Sequence, residues 1–522
     1  MSVAVETERE FKFDVDAEFD PPDLRPVVGR TVRLPEVEHR TAYFDTADHR
    51  LWGCGITLRH RLPAGSDGDP GKWTLKLPEG DHPDGNAAGS APSSRSELTW
   101  EGPAGSVPEP VRRILAGVVR RAPLGQVAEL HATRRRLLLQ EPDGDRPWAE
   151  IDDDLVEVAS GPTAGRRFRQ IELELVSGVE APDGQVESVI SLMRDAGAGP
   201  GGGSKLGAAL GLADRPAAPA ARPARSAPMG EVARHILSAD LHTLIECDLE
   251  LRRVFEDDRT ADVELVHRTR VATRRVRSHL RTLDPLLDPV WVGHVRGDLR
   301  TLGQGLGRAR DADVLLERIR AHTDAEDAAG VEELVHLVSA DRALAMRELA
   351  AFMAGTAYSD LLERLSVAAS NPPLYSHVHD DPAGLPAGRT LQDLVRQRWK
   401  RVTASVADMP ARPHPDELHQ LRIRAKRLRY AAEAAEPYVG RPARRAARAA
   451  KRLQDVLGEV HDATAAVTWL REMASHPSIS PGAGFVAGRI AGRAEGSAAV
   501  AAARWRRTAR RIGTKKLRAS FG

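Results

Sequence analysis

Two carboxylates and a lysine alternate along residues 8–12, which read Glu8-Arg9-Glu10-Phe11-Lys12. In a strand every second side chain points to the same face, so Glu8, Glu10 and Lys12 would share one side. Two acids and a base would be costly in an apolar core. The pattern therefore favours a hydrated site for a divalent cation and a phosphate, although a charged edge strand would show the same alternation.

Charged residues repeat this alternation on five further segments, and both signs occur. The sets that share a face are Arg59 and Arg61; Lys72 and Lys76; Arg95 and Glu97; Glu150, Asp152 and Asp154; and Glu172 and Glu174. On one strand alone, the solvated face of a sheet would explain such a pattern. Six strands with both signs, whose apolar faces point the other way, instead indicate a barrel with a polar lumen.

The elements that would position these residues are short segments of period-2 hydrophobicity separated by turn-rich sequences. They lie near residues 3–13, 39–44, 56–62, 72–77, 94–100, 128–139, 147–158 and 166–176. About eight strands with hairpin-like spacing predict an antiparallel sheet that closes into a barrel. Segments near 107–118 and 184–196 have a helical pattern, and we expect them to cover the outward apolar faces.

Residues 1–212 resemble the CYTH superfamily, the triphosphate tunnel metalloenzymes. The matching motifs, in family order, are Glu8-x-Glu10-x-Lys12, Tyr43 to Leu51, Gly55 to Arg61, Trp73 to Pro78, Arg95-Ser96-Glu97, the acidic strand at 150–154, Glu172-x-Glu174 and Ser204-Lys205-Leu206. The resemblance implies an α+β domain built on an eight-stranded antiparallel β tunnel that binds a linear triphosphate. Catalysis would be attack of water on a terminal phosphoryl group, assisted by Mg²⁺ or Mn²⁺.

The resemblance also implies roles for single residues. The metal would be held by Glu8, Glu10, Asp152, Asp154, Glu172 and Glu174. The phosphate oxygens would be held by Lys12, Arg59, Arg61, Lys76, Arg95, Arg135 and Lys205. Catalytic roles would fall to Glu8, Glu10 and Lys12, the last of which could orient the attacking water or the terminal phosphate. Arg135 follows the family spacing, but a one-residue slip would turn Arg134 and Arg136 inward instead.

The C-terminal half contains a duplicated helical pattern. One copy has His267, Arg270, Arg274 and Arg277, and the other has His419, Arg422, Lys426 and Arg429. The shared spacing of i, i+3, i+7 and i+10 places each set on one helix stripe. A stripe of like charges repels itself, so two copies favour a polyanionic ligand over a merely solvated basic face. Nucleic acid is the less favoured ligand, because no aromatic side chains for base stacking interleave with the stripe.

Residues 229–515 are similar to the CHAD family, the conserved-histidine α-helical domains. The similarity rests on both stripe helices, on Arg310-Asp311-x-Asp313, and on Leu457-Gly458, which has a counterpart in Leu306-Gly307 after the first stripe. It implies an all-α domain of two pseudo-symmetric helical bundles, with a basic groove that binds inorganic polyphosphate. We expect the Pro/Ala-rich residues 213–228 to link this domain to residues 1–212.

Composition and charge set further bounds. The chain has 522 residues, which predicts two or three domains, and a net charge of +1. Residues 1–228 carry 28 Lys and Arg against 36 Asp and Glu, net −8, whereas residues 229–522 carry 47 against 38, net +9. Two cysteines exclude a disulfide framework, and the sequence shows no signal segment or long apolar run. We expect a cytoplasmic protein without membrane contact, which could associate with polyphosphate granules.

We therefore expect a metal-dependent triphosphatase, a phosphoric anhydride hydrolase, with a helical domain that binds polyphosphate. Inorganic triphosphate or a related triphosphate would be the substrate. Two alternatives stay open: a non-catalytic polyphosphate-binding scaffold with a degenerate tunnel, and an adenylate cyclase of the CYTH type. The sequence shows no separable signal for the base pocket that cyclisation needs, and it leaves the preferred triphosphate, protein partners and oligomeric state undetermined.

Overall fold

The computed structural model describes most of the chain, in stretches separated by short gaps. These stretches are residues 4–63, 70–78, 93–141, 146–201, 203–212, 221–257, 259, 261–321, 327–375, 381–476 and 479–521. The side chains of residues 4–8, 63, 93 and 94 lie outside this description. The chain divides into two compact units, Met1–Ala218 and Pro219–Gly522.

The first unit contains an antiparallel sheet, which has ten strands within the described residues. They are β1 (Ala4–Val15), β2 (Arg30–Arg33), β3 (Val37–Asp45), β4 (Thr57–Pro63), β5 (Lys72–Pro78), β6 (Ser93–Glu101), β7 (Gly125–Gln140), β8 (Pro147–Ser160), β9 (Arg167–Leu175) and β10 (Gly199–Pro200). Eight of these strands lie where the sequence pattern predicts them. The pattern did not predict β2 and β10, because segments of four and two residues are too short to show a period of two.

The strand pairings follow the order β1-β6-β5-β4-β3-β7-β8-β9, and β9 pairs again with β1. Strand β1 can pair on both sides because it is long: Ala4–Glu10 lie beside β6, and Arg9–Val15 lie beside β9. The path of paired strands thus returns to its first strand. Strand β2 adds to β7, and β10 adds to the end of β1.

Helices cover part of the apolar side of this sheet. They are α1 (Arg25–Val28), α2 (Arg50–Gly53), α3 (Glu109–Val119), α4 (Gln185–Asp195) and α5 (Lys205–Leu210). In the core next to α4, Ile171 and Leu173 of β9 are buried in one cluster with Val189 and Met193. Because side chains alternate along a strand, Glu172 between them faces the other side of the sheet.

The second unit is built from helices joined by loops, and its described residues contain no strand pairing beyond two isolated bridges. Its helices are α6 (Met229–Glu256), α7 (Val263–Leu283), α8 (Pro289–Arg320), α9 (Ala328–Ala354), α10 (Thr356–Ser370), α11 (Ala387–Ala407), α12 (Pro415–Val439), α13 (Arg441–Ala474), α14 (Pro481–Ala509) and α15 (Lys515–Phe521). Among the described residues, we find no helix with the length and apolar character that a membrane crossing requires.

The two predicted stripes lie on α7 and α12. Helix α7 begins after Asp262, whose carboxylate accepts a hydrogen bond from the Leu265 amide at 2.5 Å. Helix α12 begins after His414, which forms a capping box with Glu417. Helix α7 packs against α6 and α8, α12 packs against α11 and α13, and α7 and α12 contact each other. The two stripe helices therefore occupy equivalent places in the packing.

Candidate functional sites

The first unit contains a cavity of about 190 Å³ among its strands, which we call the strand cavity. It is lined by Glu10, Lys12, Tyr43, Thr57, Arg59, Arg61, Lys76, Arg95, Glu97, Arg134, Glu172, Glu174, Ser204, Lys205 and Leu206. Eleven of these fifteen residues carry a charge when ionised in the usual way, and both signs are present. The strands therefore turn charged side chains toward a shared interior, as their alternation predicts.

Glu172 lies at the centre of an ion-pair network in the strand cavity. Its carboxylate accepts hydrogen bonds from Lys12 Nζ at 2.9 Å and from Lys205 Nζ at 2.6 Å, and Arg134 Nη2 lies 3.8 Å away. Burial alone would raise the pKa of Glu172, but these three cations hold it well below its ordinary value. Lys12 also lies 3.1 Å from Glu10, and burial, which would lower its pKa, is outweighed by the two carboxylates.

The acidic strand β8 contributes Asp152 and Asp154, which both pair with Arg134. Arg134 donates to Asp154 at 2.8 and 2.7 Å and also contacts Asp152, while Lys205 lies 2.8 Å from Asp154. Burial would raise the pKa of Asp154, but Lys205 and Arg134 lower it. For Asp152, burial prevails over Arg134 and raises the pKa to about 7. The Asp152 Oδ1 atom is buried and has no hydrogen-bond partner.

The arginine of β7 that lines the strand cavity is Arg134, and this corrects the choice of Arg135. The Arg135 side chain is 64% exposed and pairs with Glu36 at 3.1 Å, on the opposite face of the strand. Arg136 shares the parity of Arg134 but lies further along the strand and pairs with Glu150. The difference is the one-residue slip, which exchanges the two faces of a strand.

A basic group occupies another part of the strand cavity. It contains Arg59 and Arg61 of β4, Lys76 of β5 and Arg95 of β6. Glu97 partly balances it, at 3.2 Å from Arg59 and 3.7 Å from Lys76. Burial, followed by Arg59 and Arg134, lowers the pKa of Arg61 to about 10, and the Nε atoms of Arg61 and Arg95 are buried without an acceptor. These donors fit an anion with several oxygens.

Lys205 enters the strand cavity from the start of α5. Ser204 precedes it, and its hydroxyl accepts a hydrogen bond from the Gly207 amide at 3.0 Å, which caps the helix. The glycine-rich approach is held by β10 and by the Gly201 amide, which donates to the Lys12 carbonyl at 2.9 Å. A Cβ atom on Gly201 would come within 2.7 Å of that same backbone, so this close approach requires glycine.

Two residues of β3 belong to this region and were missed by the sequence pattern. Tyr43 lines the strand cavity. His39 is buried, and burial followed by Arg61 and Arg134 lowers its pKa to about 3. Because residues 39, 41 and 43 share a strand face, the same alternation would have pointed to both. Charge alternation does not single out this face, because its residues at 39, 41 and 43 are His, Thr and Tyr.

The carboxylates of the strand cavity include several of the predicted metal ligands. Within the described residues, no three His, Cys, Asp or Glu side chains are arranged as a metal site. Glu172, Asp152 and Asp154 instead hold lysine and arginine, and the side chain of Glu8 lies outside the described residues. Carboxylate oxygens are nevertheless the donors that Mg²⁺ and Mn²⁺ prefer, and Asp152 Oδ1 accepts no hydrogen bond, with Arg136 Nε 4.0 Å away. The donor chemistry therefore fits a hard divalent cation.

The second unit contains a cavity of about 230 Å³ between α7, α8 and α12, which we call the helix cavity. It is lined by Arg270, Thr273, Arg274, Arg277, Ser278, Arg281, Arg296, Gly303, Ile423, Lys426, Arg427 and Tyr430. Four residues of the two predicted stripes meet here, three from α7 and one from α12. Burial followed by Arg422, Arg274 and Arg270 lowers the pKa of Lys426 to about 7. Burial and the crowding of cations thus together oppose protonation of this lysine.

The remaining stripe residues lie outside the lining of the helix cavity. Arg422 is 3.8 Å from Asp462, and its Nε atom is buried without an acceptor. His419 Nδ1 lies 3.3 Å from His461 Nδ1, and burial followed by Arg422 lowers the pKa values of both. Burial and Arg310 also lower the pKa of His267. His267, His419 and His461 are therefore each harder to protonate than a histidine in water.

Arg429 differs from Arg277, its counterpart in the first stripe. Arg277 lines the helix cavity, whereas Arg429 donates to Glu433 at 2.6 Å and lies over the Tyr430 ring at 5.3 Å. Tyr430 in turn accepts a hydrogen bond from Arg274 Nε at 2.5 Å. The duplicated spacing thus predicts which helices meet but not the role of each fourth residue.

The glycines of the repeated Leu-Gly motif make room for arginines. A Cβ atom on Gly307 would lie 3.0 Å from Arg270 Nη1, and one on Gly458 would lie 3.8 Å from Arg422 Nε. A Cβ atom on Gly303, which lies one turn before Gly307, would likewise be 3.1 Å from Arg277 Nη1. The motif after each stripe therefore gives the second residue of that stripe space beside the neighbouring helix.

Comparisons with known proteins agree with this division. Residues 6–195 match the CYTH domain, and residues 235–471 match the CHAD domain. Uncharacterized protein Rv2226 of Mycobacterium tuberculosis is 30% identical over 481 residues, which are 87% of this chain and 86% of that protein.

Solved structures also resemble parts of the chain. PptA from Streptomyces chartreusis is 21% identical, with a TM-score of 0.45, and covers 54% of this chain and 99% of its own. The CHAD domain from the plant Ricinus communis is 24% identical, with a TM-score of 0.45 and coverage of 56% and 94%. HpAC1 from Hippeastrum, for which a dominant triphosphatase activity is described, is 15% identical, with a TM-score of 0.25 and coverage of 38% and 93%. On the two domain matches and the shared length with the mycobacterial relative, this chain belongs to the family of proteins that join a CYTH domain to a CHAD domain.

Proposed function

We propose that this protein hydrolyses inorganic triphosphate in its CYTH domain with the help of a divalent metal ion, and binds inorganic polyphosphate in its CHAD domain. The observation that carries the first part is the composition of the strand cavity. Basic donors of β4, β5 and β6 and the carboxylates around Glu172 share one interior. The return of the strand path to β1 supports an eight-stranded tunnel around that interior.

The proposed role of each residue follows from its chemistry. Arg59, Arg61, Lys76 and Arg95 would bind phosphate oxygens, with Arg134 and Lys205 beside them. Glu8, Glu10, Glu172 and Glu174 would hold Mg²⁺ or Mn²⁺, with Asp152 and Asp154 in support. When bound, such an ion offsets the negative charge that develops on the phosphoryl oxygens. Lys12, which reaches both Glu10 and Glu172, would orient the terminal phosphate or the attacking water.

The lining of the strand cavity favours inorganic triphosphate over a nucleotide. Among the described residues that line it, Tyr43 is the one aromatic side chain, so the cavity offers little surface for stacking a base. Most of its other side chains suit oxyanions. This supports hydrolysis rather than cyclisation of a nucleotide.

Phosphate release from tripolyphosphate by the full chain tests the catalytic part. We expect release with Mg²⁺ or Mn²⁺ and none with a chelator. The double variant Glu10→Gln with Glu174→Gln should lose roughly a thousandfold or more in rate, because both residues belong to the proposed metal site. Glu157→Gln is the matched control, since Glu157 is exposed on β8 and pairs with Arg167. Unchanged turnover in the double variant would contradict the assignment, and no turnover in the wild type would favour the scaffold alternative.

The meeting of α7 and α12 supports the polyphosphate part of the proposal. Arg270, Arg274, Arg277 and Lys426 come together in the helix cavity, and Arg422 lies beside them. The equivalent packing of the two helices is consistent with two pseudo-symmetric bundles. Burial and neighbouring cations lower the pKa values of Arg270, Arg277, Arg422 and Lys426. A linear polyanion is attracted to such a row, because each bound phosphate relieves the repulsion.

Charge reversal tests this groove in the full chain. Changing Arg270, Arg274, Arg422 and Lys426 to glutamate should abolish binding of long-chain polyphosphate and leave triphosphate hydrolysis intact. The matched control reverses four exposed arginines outside the cavity: Arg275, Arg320, Arg347 and Arg445. Wild-type binding should need no metal and weaken as salt is added. Tight binding by the reversed variant would refute the groove, and equal affinity for single-stranded DNA would favour nucleic acid.

Three other expectations stay predictions that these experiments do not address. The domain limits of 1–212 and 229–515 with a linker at 213–228 are one, and residues 213–220 of that linker lie outside the described residues. A cytoplasmic location is the second. Association with polyphosphate granules is the third.

A further inference from the structure

The helix cavity extends beyond the two predicted stripes. Arg281, Arg296 and Arg427 line it as well, and none of them belongs to the repeated spacing. Arg281 lies one helical turn after Arg277 on α7, Arg427 follows Lys426 on α12, and Arg296 comes from α8. Three different helices therefore bring guanidinium groups to one end of the cavity.

These guanidinium groups repel one another. Burial, followed by Arg427, Arg296 and Arg277, lowers the pKa of Arg281 to about 10. Burial and Arg296 also lower the pKa values of Arg277 and Arg427. The Nε atom of Arg427 is buried without an acceptor. Such a cluster does not stabilise the free protein, so its arrangement indicates a bound anion.

Acidic residues lie at one end of this groove and are scarce at the other. Near Arg270 and Arg422 the carboxylates of Asp311 and Asp462 moderate the charge, with Asp462 at 3.8 Å from Arg422. Among the described residues that line the helix cavity, none is acidic. At the other end Asp284 lies 3.6 Å from Arg296, but the charges that shift the pKa values of Arg277, Arg281 and Arg427 are all arginines. The positive charge therefore rises from the Asp311 and Asp462 end toward Arg281.

The negative charge of a linear polyphosphate chain also differs along its length. Each inner phosphate carries one negative charge, whereas a terminal phosphate loses a second proton with a pKa of about 6, as phosphate monoesters do. At pH 7.5 the chain end is therefore the most negative point. We propose that Arg277, Arg281, Arg296 and Arg427 form a subsite for the terminal phosphate, so that polyphosphate enters the helix cavity by its end and lies in one direction. This inference rests on the proposed polyphosphate-binding function.

End-blocked chains test the inference on the full-length protein. Two linear polyphosphates would be compared by calorimetry at pH 7.5: one with both terminal phosphates blocked as monoesters, and one unblocked but shorter by two phosphates, so that net charges match. We expect the wild type to bind the unblocked chain about tenfold more tightly, the effect of one lost charge-assisted hydrogen bond. Equal affinity would overturn the inference and leave the polyphosphate function standing. No binding of either chain would refute both.

A variant then locates the preference. Arg281→Gln with Arg427→Gln should bind both chains equally, whereas Arg275→Gln with Arg445→Gln, which alters exposed residues outside the cavity, should keep the preference. The first variant should also melt at a higher temperature than the wild type, because it removes mutual repulsion. A lower melting temperature with the end preference retained would assign these arginines to folding instead. Arg296→Gln alone provides a milder variant with the same expected direction.

Discussion

Several cations line both the strand cavity and the helix cavity, but only the lining of the strand cavity also contains carboxylates among the described residues. In the strand cavity Lys12, Lys205 and Arg134 each lie within 4 Å of a carboxylate, and the pKa values of all three are raised. In the helix cavity burial, together with neighbouring cations, lowers the pKa values of Arg281 and Lys426. The cations around Glu172 in the strand cavity are thus paired before a ligand arrives, whereas no acidic residue is among the described residues that line the helix cavity.

This difference matches the ligands proposed for the two cavities. A metal ion and a triphosphate arrive together with opposite charges, so a site of paired acids and bases can exchange its internal ion pairs for contacts to both. A bare polyanion brings negative charge alone, and a site with unbalanced positive charge suits it. Substitutions in either cavity test this contrast.

The largest effect should come from Glu172→Gln in the strand cavity. The change removes the carboxylate that contacts Lys12, Lys205 and Arg134. We expect a loss of roughly a thousandfold or more in triphosphate hydrolysis, and a destabilisation of about 3–5 kcal/mol because buried cations lose their partner. Phosphate release should be measured at a temperature at which calorimetry shows that the variant is still folded. This separates the loss of activity from the loss of stability. Glu157→Gln should change neither, and an active Glu172→Gln enzyme would contradict the assigned role.

The next effect concerns the pH dependence of polyphosphate binding. The free pKa of Lys426 is lowered to about 7 among Arg422, Arg274 and Arg270, with Asp462 opposing them. A bound polyanion raises that pKa, so the protein takes up a proton on binding. Affinity is then full below pH 7 and falls as the pH rises above it, by about tenfold between pH 6 and pH 8.

Lys426→Arg is the control for this pH dependence. Arginine stays charged across the whole range, so its affinity should change little between pH 6 and pH 8. Titration by calorimetry in buffers of different ionisation enthalpy counts the protons taken up. A slope unchanged in Lys426→Arg would assign the pH dependence to another group, such as His267 or His419 of the two stripes.

A small effect should distinguish the two copies of the Leu-Gly motif. A methyl group on Gly307 would press on Arg270 at 3.0 Å, whereas one on Gly458 would meet Arg422 at 3.8 Å. Gly307→Ala should weaken polyphosphate binding about twofold, and Gly458→Ala should weaken it less. Neither should lower the melting temperature, since alanine favours a helix over glycine. An equal or larger loss in Gly458→Ala would show that the spacing of Gly307 is not what positions Arg270.

The sequence allowed much of the strand cavity to be predicted, because alternation along a strand assigns each side chain to a face. It placed eight strands and the inward side of Arg59, Lys76 and Glu172 without knowledge of their partners. It could not decide among the arginines at 134–136, because β7 has irregular register near both ends and three identical side chains leave parity ambiguous.

The helix cavity was less predictable for a physical reason. Periodicity along α7 and α12 identifies a stripe, but a cavity between helices depends on how they are rotated and shifted against each other. Because of that packing, Arg296 of α8 and Arg427 of α12 line the cavity, whereas Arg429 does not and instead pairs with Glu433. A repeat pattern within single helices contains no such information.

The most direct test of the contrast is the same substitution in both cavities. Lys12→Met and Lys426→Met each remove one partly buried lysine, and scanning calorimetry of the full chain at pH 7, without metal or phosphate, measures the change in stability. Lys12→Met should destabilise its unit by about 3–5 kcal/mol, because Glu10 and Glu172 lose a cation at 3.1 and 2.9 Å. Lys426→Met should raise its transition by about 2–4 °C, because a crowded charge is removed. Shifts of the same sign in both variants would contradict the account.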